Sequence, residues 1–304
     1  MKFGRTLIVA ASVLAIAAPA LASSGGGGGG GQMPSASGRQ IDPAKRYAEG
    51  VDFLKKSDFK QAAKAFNDVL DVAPRDANTN YMMALAKIGD QNFNDGRKFL
   101  RNAVKYKPDH VLARGWLGAM EAKLGDAGKA TEQKTALTDL KTKCATVCPE
   151  AGAIDAALAR VDAYLADPAT PVQISGDLVR LASATDGDAS YLQAFALINE
   201  GRYQDALYSL NTAGLALGPH PDVLTYEGFA NRKLHNYDVA ISYYSAALKL
   251  DPDHRGANEY LGEYYVETGQ MAKAKAQLVK LDGICKFGCE QAEELRRWIA
   301  GNRS

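Results

Sequence analysis

The sequence predicts an all-α fold, a solenoid of antiparallel helical pairs arranged as two three-pair units, each closed by an additional helix. Three observations predict it. Small and apolar residues recur with a period of 34. Within each period they fall three and four residues apart, the spacing that places them on one face of a helix. Prolines stand where the second helix of a pair would have to stop.

The chain has 304 residues, enough for about two domains at roughly 150 residues each. It carries 36 Lys and Arg against 35 Asp and Glu, a net charge of +1. That balance gives no electrostatic ground for a nucleic-acid partner, which would need a basic face or domain. At the start, Lys2 and Arg5 precede an apolar run over residues 7–21 that is too short to span a bilayer. This is the pattern of a secretory signal over residues 1–22. Ala20-Leu21-Ala22 supplies the small-residue cleavage site before Ser23, with Ala18-Pro19-Ala20 as the alternative. The expected product is periplasmic or secreted, with no lipid anchor, because the first cysteine is Cys144. No later run of about 20 apolar residues predicts a membrane span. Residues 23–42 read as a flexible tether: residues 25–31 are all glycine, with no side chain to bury.

The first pair shows how each element is read. Phe53, Phe59, Ala62, Ala63, Phe66, Val69 and Leu70 keep helical spacing, and Pro74 ends the run. One period later stand Ala84, Gly96, Leu100, Ala103 and Pro108, and a further period gives Leu117, Gly118, Ala130 and Leu137. The segments DFKQAAKAFNDVLDVAPRD and NYDVAISYYSAALKLDPDH resemble the second-helix region of tetratricopeptide repeats. Six repeats follow, at 43–76, 77–110, 111–144, 187–220, 221–254 and 255–288. The chain departs from the family pattern at Lys134, where a bulky apolar residue is usual, and at Gly218-Pro219.

Each half ends alike, in CATVC followed by a helix with Pro149 in its first turn, and in CKFGC followed by EQAEELRRWIAG. Each such helix is expected to cover the open end of its stack. The first unit is then 43–166, the second 187–304, and 167–186 a joint between them that contains Pro168, Pro171 and Gly176.

Cys144 with Cys148 and Cys285 with Cys289 read as two disulfides of an exported protein. Spacing leaves three pairings open. The local one is favoured, because partners four residues apart at a helix-to-helix turn can reach bridging distance. The alternative is a metal-binding or thiol-exchange site at each pair. No histidine accompanies either pair, and a zinc site needs about four ligands, so no metal is expected.

Nothing in the chain has the spacing of a catalytic motif. It contains no phosphate loop ending in Lys-Ser or Lys-Thr, no H-E-x-x-H and no G-x-S-x-G. A non-enzyme without a cofactor is therefore expected, and carboxylates such as Glu293, Glu294, Asp251 and Asp253 read as solvated or capping groups.

The resemblance implies that the first helix of each repeat lines a concave groove that holds a protein or peptide. In the first repeat the groove residues are Tyr47, Val51 and Leu54; in the second Tyr81, Leu85 and Ile88. In the fourth they are Tyr191, Phe195 and Ile198, continued in the fifth by Phe229, Arg232 and Lys233. Tyrosines offer a large contact area with a polar tip. The same residues could instead pack helix against helix, the commoner use of an aromatic stripe. A clamp for C-terminal carboxylates is disfavoured, since Tyr47 and Val51 stand where such family members carry Lys and Asn. The sequence thus points to an interaction scaffold or assembly factor, with a thiol-disulfide or metal-handling factor as the alternative.

Overall fold

The computed structural model describes residues 41–143, 151–174 and 184–301. Among them are fourteen α-helices and no strand. The first seven are α1 (Pro43–Lys55), α2 (Phe59–Val72), α3 (Ala77–Gly89), α4 (Phe93–Tyr106), α5 (Val111–Lys123), α6 (Ala127–Lys143) and α7 (Ala151–Ala166). The second seven are α8 (Ala184–Asn199), α9 (Tyr203–Leu217), α10 (Pro221–Lys233), α11 (Tyr237–Leu250), α12 (Arg255–Glu267), α13 (Met271–Ile284) and α14 (Glu290–Gly301). The signal segment, the tether up to residue 40, Cys144, Cys148 and residues 175–183 of the joint lie outside the described residues.

The chain is an all-α solenoid: three hairpins (α1–α2, α3–α4, α5–α6) followed by α7, then three more (α8–α9, α10–α11, α12–α13) followed by α14. The period is visible in the backbone. Each hairpin turns through one left-handed residue, at Ser57, Gln91, Gly125, Gly201, His235 and Gly269, with φ between 58° and 87°. The last residue of four repeats caps the first helix of the next. Asp76 accepts from the Thr79 N–H, His110 Nδ1 from Ala113, His220 Nδ1 from Asp222 and His254 Nδ1 from Ala257. Capping uses a neutral Nδ1 as acceptor. Burial, with the nearby Lys107 charge, pushes the His110 imidazole down to about 3, so it caps as the neutral ring.

Hairpins lock where a glycine meets a large ring. A Cβ on Gly50 would lie 2.6 Å from the Phe66 ring, and one on Gly228 2.5 Å from that of Tyr244. In the third hairpin of each half the neighbour comes instead from the closing helix. Val161 of α7 packs on Gly118, and Leu295 of α14 packs on Gly262. This explains the departure at Lys134: with Val161 against Gly118, Lys134 faces outward and pairs with Asp162 of α7 at 2.6 Å.

The second set of hairpins folds back on the first. The Tyr47 hydroxyl donates to the Leu215 carbonyl at 2.9 Å, and Gly218, with φ +79°, lies flat against the Tyr47 ring. Gly214 approaches the Asn78 amide. Lys107 reaches Glu227 of α10 at 2.8 Å in a buried ion pair. Burial opposes the Lys107 charge, but the Glu227 carboxylate and its neighbours more than offset it and hold the ammonium above its ordinary range. No helix among the described residues is long and apolar enough to cross a membrane.

Candidate functional site

The first helices of the last three hairpins, α8, α10 and α12, carry a connected row of rings. Tyr191 and Phe195 of α8 meet Tyr226 of α10 at centroid distances of 5.9 and 5.8 Å. Tyr226 lies 6.3 Å from Tyr260 of α12, and Tyr260 lies 4.9 Å from Phe229 of α10. Edge-to-face and tilted ring pairs at these spacings hold one another in place, so the row is pre-organised. One end is open: Phe195 is 44% exposed and Leu192, beside it, 67%. Contiguous apolar patches, more than single exposed side chains, mark interaction surfaces, and here two exposed side chains adjoin the ring row.

Arg232 closes the other end. It is buried, bonded to Glu263 and to Glu267 at 2.7 Å, and its guanidinium stacks on Phe229, Tyr260 and Trp298 at 5.4, 6.0 and 5.5 Å. The sequence places Arg232 in the groove, but its charge is used inside the fold, where it ties α10 to α12 and α14.

Next to the rings lies a cleft of about 400 Å³ between α10, α12 and the start of α14. Tyr226 and Tyr260 form its apolar wall, and Asp222, Asp251, Asp253 and Glu259 its acidic one, with His254, Arg255 and Gln291 also on its lining. Because His254 Nδ1 accepts the Ala257 N–H, its proton sits on Nε2, which donates to Asp222 at 2.9 Å. That hydrogen bond holds the Asp222 carboxyl below its usual range. Asp251 accepts the Asp253 N–H at 3.0 Å. Glu259 differs from both. It is 8% exposed, lines the cleft, and has neither a hydrogen-bond nor an ion-pair partner among the described residues. Burial, followed by the charges of Glu263, Glu294 and Glu290, pushes its carboxyl up to about 8.

The remaining groove residues of the sequence reading are placed inside. Tyr47, Val51, Leu54, Tyr81, Leu85 and Ile88 are buried, so in this structure they form a packing row and not an open surface. For Tyr47 the physical reason is the fold-back, which seats Leu215 and Gly218 on it; Tyr81 is covered within its own half, where it packs on the His110 ring at 5.1 Å. Tyr191, Phe195 and Phe229 keep accessible surface. Periodicity reading missed Tyr226, Tyr260 and Glu259. The signal was present: Tyr226 and Tyr260 are one period apart, and Glu259 holds the repeat position of Tyr47, Tyr81 and Tyr191.

Cys285 and Cys289 form a disulfide across the α13–α14 turn, with a Cα–Cα distance of 5.7 Å, the local pairing favoured from spacing. Cys285 is buried. Among the described residues no group of three or more His, Cys, Asp or Glu is placed to hold a metal.

The family model for the tetratricopeptide repeat matches residues 81–134 and 230–280, one stretch in each half, and supports the repeat assignment. No curated protein matches the chain. Among solved structures the chain is similar to the TPR2AB-domain:pHSP90-complex of yeast Sti1, at 16% identity over 86% of this chain and 98% of that one, with a TM-score of 0.38. It is also similar to the MamA protein, at 17% identity over 69% and 92% with a TM-score of 0.29. A third is TTC0263, a thermophilic TPR protein of Thermus thermophilus, at 18% identity over 74% and 98% with a TM-score of 0.30.

Proposed function

We propose that this protein is a non-catalytic interaction scaffold or assembly factor that works outside the cytoplasm, in the periplasm or beyond it, and holds a protein partner on the ring-lined face of α8, α10 and α12. The observation that carries this reading is the exposure of Phe195 and Leu192 at the end of a row of five interlocked aromatic rings. Stacked repeats have continuous surfaces larger than any one hairpin can offer, which suits them to extended or helical partner segments. The basic start and the short apolar run after it support export. The bridge between Cys285 and Cys289 fits an oxidising compartment.

The test is capture of partners from an envelope fraction by the mature chain. The comparison is between a Leu192→Ser, Phe195→Ser variant and a Val279→Ser variant, since Val279 is 72% exposed on the second helix of the last hairpin. A partner held by the wild type and by the Val279 variant, but lost at least about tenfold with the α8 variant, is expected, because truncating an interface anchor typically costs about 2 kcal/mol or more. Equal loss in both variants, or in neither, removes the ring-lined face as the working surface.

A further inference from the structure

Resting on that reading, we infer that the cleft beside the ring row recognises a basic side chain: a lysine or arginine from an extended segment of the partner enters the cleft alongside the wall formed by Tyr226 and Tyr260 and pairs with Glu259. Three observations on this face converge. Glu259 lines the cleft as a residue only 8% exposed, and its carboxyl, whose oxygens still reach the cleft, has no partner among the described residues. Two tyrosine rings, Tyr226 and Tyr260, wall the same cleft, and the face of a tyrosine ring stabilises an ammonium or guanidinium group. The other acids on the lining, Asp222, Asp251 and Asp253, make it negative overall against the single exposed Arg255. A buried carboxylate without a counter-ion is costly, and a cation supplied from outside removes that cost.

The groups around Glu259 favour an incoming cation from each side. On α10 they are Asp222, bonded to His254, and Arg232, whose charge is already taken by Glu263 and Glu267. On its own helix, Glu263 adds to the negative field, and on α14 Glu290 and Glu294 do the same. Arg232 lowers the Glu259 carboxyl, but it does not outweigh the three glutamates. Burial and the three glutamates hold the Glu259 carboxyl up, at about 8, so an entering cation favours its ionisation and the release of its proton.

The experiment is a titration of the mature protein with a capped octapeptide of alternating lysine and alanine, followed by NMR at the carboxyl carbon of Glu259 and by calorimetry at pH 7 in two buffers of different ionisation enthalpy. The controls are the same peptide with every lysine acetylated, and spermidine as a free amine. Expected are saturable binding of the lysine peptide at least about tenfold tighter than the acetylated one, release of close to one proton, and loss of both effects in Glu259→Gln. The proposal is overturned by equal binding of the acetylated peptide, by binding without proton release, by unchanged binding in Glu259→Gln, or by spermidine binding as tightly as the peptide. The α8 capture experiment reads the ring-lined face without Glu259, so a negative result here with a positive one there removes this inference alone.

Discussion

The two halves of the chain use one repeat pattern and end with opposite surfaces. In the first half the tyrosines of the first helices are sealed: Tyr47 under Leu215 and Gly218, Tyr81 against His110. The open cleft there lies instead between α2, α3 and α4, about 510 Å³ with Phe59, Phe99 and Met83 on its wall and Lys60, Lys64, Lys87 and Lys98 around it. In the second half the first-helix rings stay accessible, and the cleft beside them is acidic. The same register position thus serves as packing in one half and stays accessible at Tyr191 in the other. For Tyr47 the end of α9 decides, because it folds over α1, whereas Tyr81 is covered by His110 of its own half.

If that fold-back makes the difference, the ion pair joining the halves should be among its most sensitive points. Lys107 and Glu227 are both buried, so Lys107→Met leaves an uncompensated carboxylate and is expected to cost about 3–5 kcal/mol in urea unfolding. Lys107→Met with Glu227→Leu should recover most of that loss, since the penalty belongs to the orphaned charge. A single variant as stable as the wild type would show that the halves do not depend on this contact.

A smaller change tests the seal over Tyr47 directly. Gly218 has φ +79° and ψ −165°, a region open essentially to glycine alone, and a Cβ there would overlap the Tyr47 ring. Gly218→Ala should destabilise the chain by about 2 kcal/mol. Amide hydrogen exchange in α1 should rise while that in α12 stays unchanged, which separates uncovering of the first row from general loosening. Uniform acceleration across both halves would contradict the local seal.

The smallest effect belongs to the open half and depends on pH. The folded Glu259 carboxyl titrates near 8, above its ordinary range, so between that range and pH 8 the folded chain keeps a proton that the unfolded chain has released. Wild-type stability should therefore fall as pH rises through this window and level off above it. Glu259→Gln cannot ionise, so its stability should stay flat across this window while that of the wild type falls, and it should exceed the wild type in Tm at pH 9. The same gain at both ends of the window would mean that the buried charge is not its source.

Much of the fold was legible because a repeat states its geometry several times over. The small residues of the repeat and the prolines after second helices act within one hairpin or between neighbours; so do the caps Asp76, His110, His220 and His254, which periodicity alone did not single out. The candidate site was only half legible. Tyr191, Phe195 and Phe229 follow from period and chemistry, whereas Glu259 looks like any surface glutamate until α14 brings Glu290 and Glu294 toward it. Arg232 looked like a groove cation because its partners, Glu263 and Glu267, belong to the next hairpin.

By itself, the sequence determined the helical hairpins, their number, their turns and which side chains point from each first helix, since these are set by contacts within about one period of 34 residues. Only the tertiary structure decided which of those side chains meet solvent. Tyr47 is covered by a carbonyl 168 residues away, and Lys107 is neutralised by a carboxylate 120 residues away. Burial depends on such distant contacts, and a local repeat, the same in both halves, carries no record of them.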